Sequence, residues 1–238
     1  MPWWELVALN AVTFTGAIVQ GGLGVGINLV CVPVFLFAGA ALVPGPALVV
    51  GIVGTAAVVM RSRTPFDLTA AGWATAGRLP GIAAGLAAIA VLDEPSRVVI
   101  AAALVIVGVA SSATSIRMTP TPPSLVAAGA ISGLMSVLAA LGGPPMALLY
   151  QRERPADVRS ALATFALVSG TMSLATLVLV GRFGRPELST SLLLLPGVVA
   201  GAAASSRAVP IFDRRLRALL LGFSLGAAAL LLAKQLVS

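Results

Sequence analysis

The chain has no histidine and a single cysteine, Cys31. No disulfide can form within it, and the His/Cys patterns of metal sites are missing. Histidine-dependent catalysis, including Ser-His proteolysis inside a membrane, is excluded. Charge is scarce as well: 10% of the 238 residues are charged, against roughly 25% in soluble domains. No carboxylate interrupts an apolar run, since Asp67, Asp93 and Glu94 all stand at run ends. That removes the usual membrane Asp, Glu or His proton relay. Lysine occurs once, at Lys234; every other basic residue is arginine. The start, Met1-Pro2-Trp3-Trp4-Glu5, lacks the basic opening of a cleavable signal peptide.

What is present is apolar. Hydrophobic residues make up 58% of the chain and mean hydropathy is +1.04. The apolar runs are long and do not alternate, which argues against a transmembrane barrel of short alternating strands. The fold class is therefore an all-α polytopic membrane protein. A net charge of +7 does not point to nucleic acid, because the arginines sit in short loops where they set topology. The lipid bilayer is the expected partner. Trp3 and Trp4 suit an interfacial anchor.

A span needs about 20 apolar residues. Candidates are 4–22, 26–42, 44–60, 68–91 and 97–116, then 124–141, a short piece at 143–150, 157–181, 187–206 and 216–235. Pro44-Gly45-Pro46, Asp93-Glu94-Pro95 and Thr119-Pro120-Thr121-Pro122-Pro123 break them. The last serves as a linker, 119–123, between membrane repeats 1–118 and 124–238.

Those repeats are visible directly. Leu79-Pro80-Gly81-Ile82-Ala83-Ala84-Gly85 returns as Leu195-Pro196-Gly197-Val198-Val199-Ala200-Gly201, a shift of 195 − 79 = 116. The same shift lays Gln20 on Ser136 and Gly26 on Gly142. Residues 143–150 are too few to cross a bilayer, so each repeat reads as a glycine-broken helical hairpin followed by three transmembrane helices. The first hairpin, 4–42, also fits two complete spans. Duplicated apolar units with matching breaks are a mark of transporters.

Arginine placement gives orientation. Arg61, Arg63, Arg117, Arg152, Arg154, Arg159, Arg207, Arg214, Arg215 and Arg217 fall on one side; Arg97, Arg182, Arg185 and Lys234 fall on the other. The positive-inside rule puts the first set in the cytoplasm. Arg61 and Arg63 then lie inside while their repeat-mates Arg182 and Arg185 lie outside. The two repeats come out with inverted topology and both termini external.

The order of these motifs resembles the sulfite exporter TauE/SafE family, also called toluene sulfonate uptake permeases. That family carries a Gly-x-x-Ser-Gly-x-x-Gly-x-Gly-Gly hairpin early in each half. The copies here are Ala17 to Gly26 and Gly133 to Pro145, each followed by a Gly-x-x-x-Gly segment. Gln20 stands for the serine, Val137 for a glycine and Pro144-Pro145 for the last glycine. The resemblance implies a carrier of small sulfur-containing anions in a bacterial inner membrane. The other reading is a non-transporting membrane assembly subunit that kept the fold.

The residues themselves suggest where an anion would bind. A helix broken inside the membrane exposes N–H groups and a partial positive charge at its new N-terminus. Gly24, Gly26, Gly142 and Gly143 permit such breaks, and Gln20, Asn28 and Ser136 flank them with hydrogen-bonding groups. The bland account of the glycines is close helix packing, which is the expected role of Gly81, Gly85, Gly197 and Gly201. Arg78 stands near the middle of 68–91, where arginine costs at least roughly 2.5–3.5 kcal/mol on insertion scales. Either it contributes to an anion site or it snorkels to the interface. Arg159 reads as a topology-setting loop residue, and Ser169 and Ser173 as hydroxyls bonded back to their own helix. No cofactor or metal is called for, so an inside-negative potential is the economical drive for anion export. Oligomeric state and any coupling ion stay open, homo-oligomers included.

Overall fold

The computed structural model describes residues 1–24, 26–61, 68–113, 118–150, 155–208, 222, 224–230 and 232–233. Side chains at 23, 68, 70, 112–113, 155–160 and 206–208 are outside that description. Every regular element among the described residues is helical. In chain order they are α1 (Trp3–Leu23), α2 (Ile27–Ala38), a 3-10 turn (Ala40–Leu42), α3 (Gly45–Val59), α4 (Leu68–Val91) and α5 (Glu94–Ala113). They continue with α6 (Pro122–Ala139), α7 (Gly143–Leu149), α8 (Pro155–Leu179) and α9 (Arg185–Ala208). The span expected at 216–235 lies mostly outside the described residues, apart from helical residues such as 224–230.

Six stretches are long and apolar enough to cross a membrane: Ala40–Val59, Ala71–Val91, Glu94–Ser111, Pro122–Ala139, Ala161–Leu179 and Arg185–Ser205. Their outer faces leave large apolar side chains such as Leu79, Val107, Leu192 and Val199 exposed. That pattern suits a hydrocarbon solvent, in which helices keep most of their backbone groups paired within the segment. The piece expected at 26–42 is shorter than a span. Its helix stops at Ala38, where Gly39 caps it, and a 3-10 turn carries the chain into α3.

The hairpin breaks fall where the sequence repeat put them. Helix α1 ends at Leu23 and α6 at Ala139; α2 starts at Ile27 and α7 at Gly143. Both intervals are 116. Each first helix ends on a left-handed residue, Gly24 (φ 82°) and Ala140 (φ 56°). Gly24 N–H donates to Gln20 O at 2.7 Å, and Ala140 N–H to Ser136 O at 2.9 Å. Glycine takes this conformation freely, whereas alanine pays roughly 1–2 kcal/mol for it. Ala140 is the one non-glycine with positive φ among the described residues.

Close packing supports the bundle. Helix α4 lies along α6 with its small residues against backbone: a Cβ on Gly77 would strike Val126 O, one on Gly81 Ala130 O, and one on Gly129 Ala74 O. Helix α9 lies along α1 in the same manner, Gly197 on Asn10 O and Gly201 on Phe14 O. Residue numbers rise together in both pairs, so each pair runs parallel. Helices α3 and α9 also run parallel, from Gly45 beside Glu187 to Arg61, whose Nη1 donates to Ala202 O at 2.7 Å. Helix α2 folds back on α1, since Gly16 meets Ile27 and Cys31 while Gly26 meets Val19.

Proline explains one polar contact across the seam. In an unbroken α9, Gly197 N–H would bond to Leu193 O. Pro196 loosens that turn, and the Asn10 amide slots into it. Its Nδ2 donates to Leu193 O at 3.0 Å, while Oδ1 accepts from Gly197 N–H at 2.8 Å. Thr13 Oγ1 adds a bond to Leu194 O at 3.3 Å. These polar groups of α1 are spent on its neighbour.

The packing role of the glycines is testable. Gly81→Val must push against a backbone carbonyl that cannot turn aside, at a cost of at least about 2 kcal/mol. Gly72, also in α4, has nothing within 4 Å of a built Cβ. Gly72→Ala should leave the melting temperature in detergent unchanged or higher, while Gly81→Val lowers it by several degrees. Equal melting of the two variants would contradict the seam.

Candidate functional site

The two hairpin tips meet. Asn28 Nδ2, at the start of α2, donates to Ala140 O at the second break, at 2.9 Å. The same Nδ2 lies 2.7 Å from where a Cβ on Gly51 would stand. Gly51 is near the centre of the span Ala40–Val59, so the junction sits at mid-depth of α3. A cavity of about 60 Å³ opens there, lined by both tips, by Gly51, Ile52 and Thr55 of α3, and by Ala166, Ser169 and Gly170 of α8. A water needs about 10–15 Å³ by this measure, so the space holds a few waters or one small oxyanion.

Each tip is tied by a different device. At the first, Gln20 Nε2 donates to Gly24 O and to Thr55 Oγ1, both at 2.8 Å, and Gln20 Oε1 accepts from Ile27 N–H at 3.1 Å. One amide thus satisfies the end of α1 and the start of α2. At the second, Ser132 Oγ donates to Gly142 O at 2.6 Å. Arg78 Nη1 in turn donates to Ser132 Oγ at 2.7 Å. Pro144 and Pro145 occupy the first turn of α7 and offer no N–H, so the second tip presents fewer backbone donors than a glycine pair would.

Arg78 does not snorkel. Its side chain is 0% exposed. Besides Ser132 it donates from Nη2 to Ser169 O and Ser173 Oγ, each at 2.7 Å. Its guanidinium carbon stands 5.9 Å from the centroid of Phe165. Its Nε has no hydrogen-bond partner among the described residues. Its hydrogen-bond partners among the described residues are neutral oxygens. A guanidinium stays protonated in proteins, so among the described residues a full positive charge is met by neutral oxygens and the ring of Phe165. It stands one layer behind the cavity wall. A Cβ on Gly142 would lie 2.7 Å from Ser169 Oγ, 3.2 Å from Ser132 Oγ and 3.5 Å from Arg78 Nη1. The missing side chain at 142 is what lets this cluster approach the tip.

Of the residues singled out from sequence, Gln20, Gly26, Asn28, Ser136, Gly142 and Gly143 all line the central cavity. Gly24 forms the break but is not part of the lining, and Arg78 stands behind it. Asn28 is buried, with Oδ1 unpartnered. Gly81, Gly197 and Gly201 pack on backbone, as expected, and Gly85 on Val137. The side chain of Arg159 is outside the described residues. Sequence reasoning missed Ser132 and read Ser173 as bonded back to its own helix, whereas its Oγ accepts from Arg78. Ser173 Oγ and Ser169 O face Arg78, and the spacing 169 to 173, one helical turn, was the available signal.

Gln20→Leu removes the side-chain bonds that close the first tip. Leaving Gly24 O and Ile27 N–H unmatched costs about 1–3 kcal/mol per group. The variant should insert normally, melt several degrees lower in detergent, and exchange the Ile27 amide faster. Unchanged exchange would show that the tip is held by other contacts.

The description Sulfite exporter TauE/SafE matches residues 9–231 of the 238. Among curated proteins and solved structures, none matches the chain. The matched stretch takes in both hairpins, Arg78 and every helix from α2 to α9, and the chain belongs to the sulfite exporter TauE/SafE family of membrane transporters.

Proposed function

We propose that this chain exports a small sulfur-containing oxyanion, sulfite or a close relative, through the cavity between its hairpin tips. The reading rests on one observation above all: two matched helix breaks converge at mid-depth on a space the size of one small oxyanion, with the charge of Arg78 directly behind Gly142. An uncompensated buried charge is unfavourable, and an anion entering the cavity supplies what the neutral partners of Arg78 cannot. Asn28, Gln20, Ser136, Gly26 and Gly143 shape the wall, Gly24 permits the first break, and Gly142 gives access to the guanidinium.

The helix directions support inverted repeats. Sequence equivalence pairs α1 with α6 and α4 with α9. The seams α1 on α9 and α4 on α6 are then two copies of one contact, and both run parallel. Alternating directions along the chain give that result when the second half is inverted. Arg61 stands at one end of the bundle, with Arg97 and Arg182 at the other. With Arg61 in the cytoplasm of a bacterial inner membrane, the positive-inside rule is met. No membrane carboxylate or histidine is needed, because an inside-negative potential expels an anion with about 2.3 kcal/mol per charge per 100 mV.

Labelled sulfite in proteoliposomes tests this. A potential of 100 mV, negative on the Arg61 side, should support roughly a fiftyfold gradient of a singly charged anion. Arg78→Leu should insert and lose flux by at least about tenfold, with Arg78→Lys intermediate because it keeps charge but not the planar fork. Absence of flux above empty vesicles for every sulfur oxyanion tried would sink the proposal and favour an assembly subunit.

A further inference from the structure

The elements that line the central cavity also line a second one. Helix α2 gives Leu29 to the first and Leu36 to the second; α3 gives Leu48 and Gly45; α8 gives Gly170 and Leu177. The second tip gives Ala140 and Leu138. Seven residues separate the α2 pair and the α8 pair, about 10 Å of helix. The two spaces are therefore stacked along one axis. Between them stand the buried side chains of Leu48, Leu138 and Leu141.

The second cavity holds about 330 Å³, much the larger of the two. It lies at the end of the bundle away from Arg61, where α3, α5 and α9 begin. Its wall carries Arg97, Arg182, Glu94 and Glu187 among apolar side chains. The charges are equal in number but not equally free. Glu94 and Glu187 sit in the first turns of α5 and α9, where the helix ends supply about half a positive charge each. Glu187 Oε2 also accepts from Gly184 N–H at 2.8 Å. The Arg182 guanidinium has no hydrogen bond or ion pair among the described residues, and Arg97 only a 3.4 Å bond from Nε to Asp93 O and the nearby Asp93 carboxylate. What is left to meet an incoming anion is the pair of guanidinium groups, since the carboxylates of the wall already face helix N-termini.

We infer that this outer cavity is a second anion site, in line with the central one, in which Arg97 and Arg182 hold an oxyanion at the outer mouth of the pathway. It rests on the transport reading for its purpose, but its charge selectivity can be measured without transport. An apolar plug between two cationic stations lets the anion dwell on either side without an open water path.

The native thiol makes a silent background, since Cys31 is fully buried. Ala41 is exposed and lines the outer cavity. In Ala41→Cys, labelling by sulfonatoethyl methanethiosulfonate is compared with labelling by its trimethylammonium analogue, each relative to free cysteine. The anionic reagent should be favoured by about fivefold, and the preference should fall toward one in Arg97→Gln and Arg182→Gln. A preference of one or less in the parent, or one that neither variant alters, overturns the outer site. Sulfite flux in the same vesicles separates the two readings. Flux with no labelling preference removes the outer site alone; preference with no flux keeps an anion site and removes transport.

Discussion

A guanidinium held inside the bundle by neutral oxygens is the constraint around which the site is arranged. Arg78 cannot lose its charge and cannot reach water. It bonds to Ser132 on α6 and to Ser169 and Ser173 on α8, so three helices must keep their registers for it to be tolerated. Those registers are set by backbone-to-backbone approach, glycine on carbonyl, along α4 and α6. A single added methyl at Gly77 or Gly81 would lift α4 away and strand the charge. Packing and electrostatics here are one problem.

The same cluster reaches the tip through a relay. Arg78 donates to Ser132, and Ser132 to Gly142 O. The first tip has no cation and uses the Gln20 amide for the matching task. The two tips therefore match in the positions of their helix ends and differ in charge. That asymmetry places a positive charge one layer behind one side of the small cavity.

The 116-residue duplication was legible from Leu-Pro-Gly and the glycine breaks alone, and the helix ends at 23 and 139 follow it to the residue. The short α7 was also legible, because seven apolar residues bounded by Gly-Gly and a polar run cannot be a span. What sequence could not give was the far partner of each polar group. Whether Arg78 is buried or snorkels depends on where Ser132, Ser169 and Ser173 arrive, 54 to 95 residues away. Asn10 carries no signal in the sequence; its role exists only because Pro196 opens a turn on α9 beside it. Hydrophobic periodicity reports faces and lengths, not these long-range pairings.

Anion binding at the charged wall is the claim most directly open to measurement. Thermal unfolding in detergent, with and without sulfite, reads it without any need for flux. A ligand that binds only the folded state raises stability by about 2.7 kcal/mol at a hundred times its Kd. Sulfite should raise the melting temperature of the wild type and leave Arg78→Met unmoved. A shift of equal size in both, or none in the wild type at any concentration, would contradict a site built around that arginine.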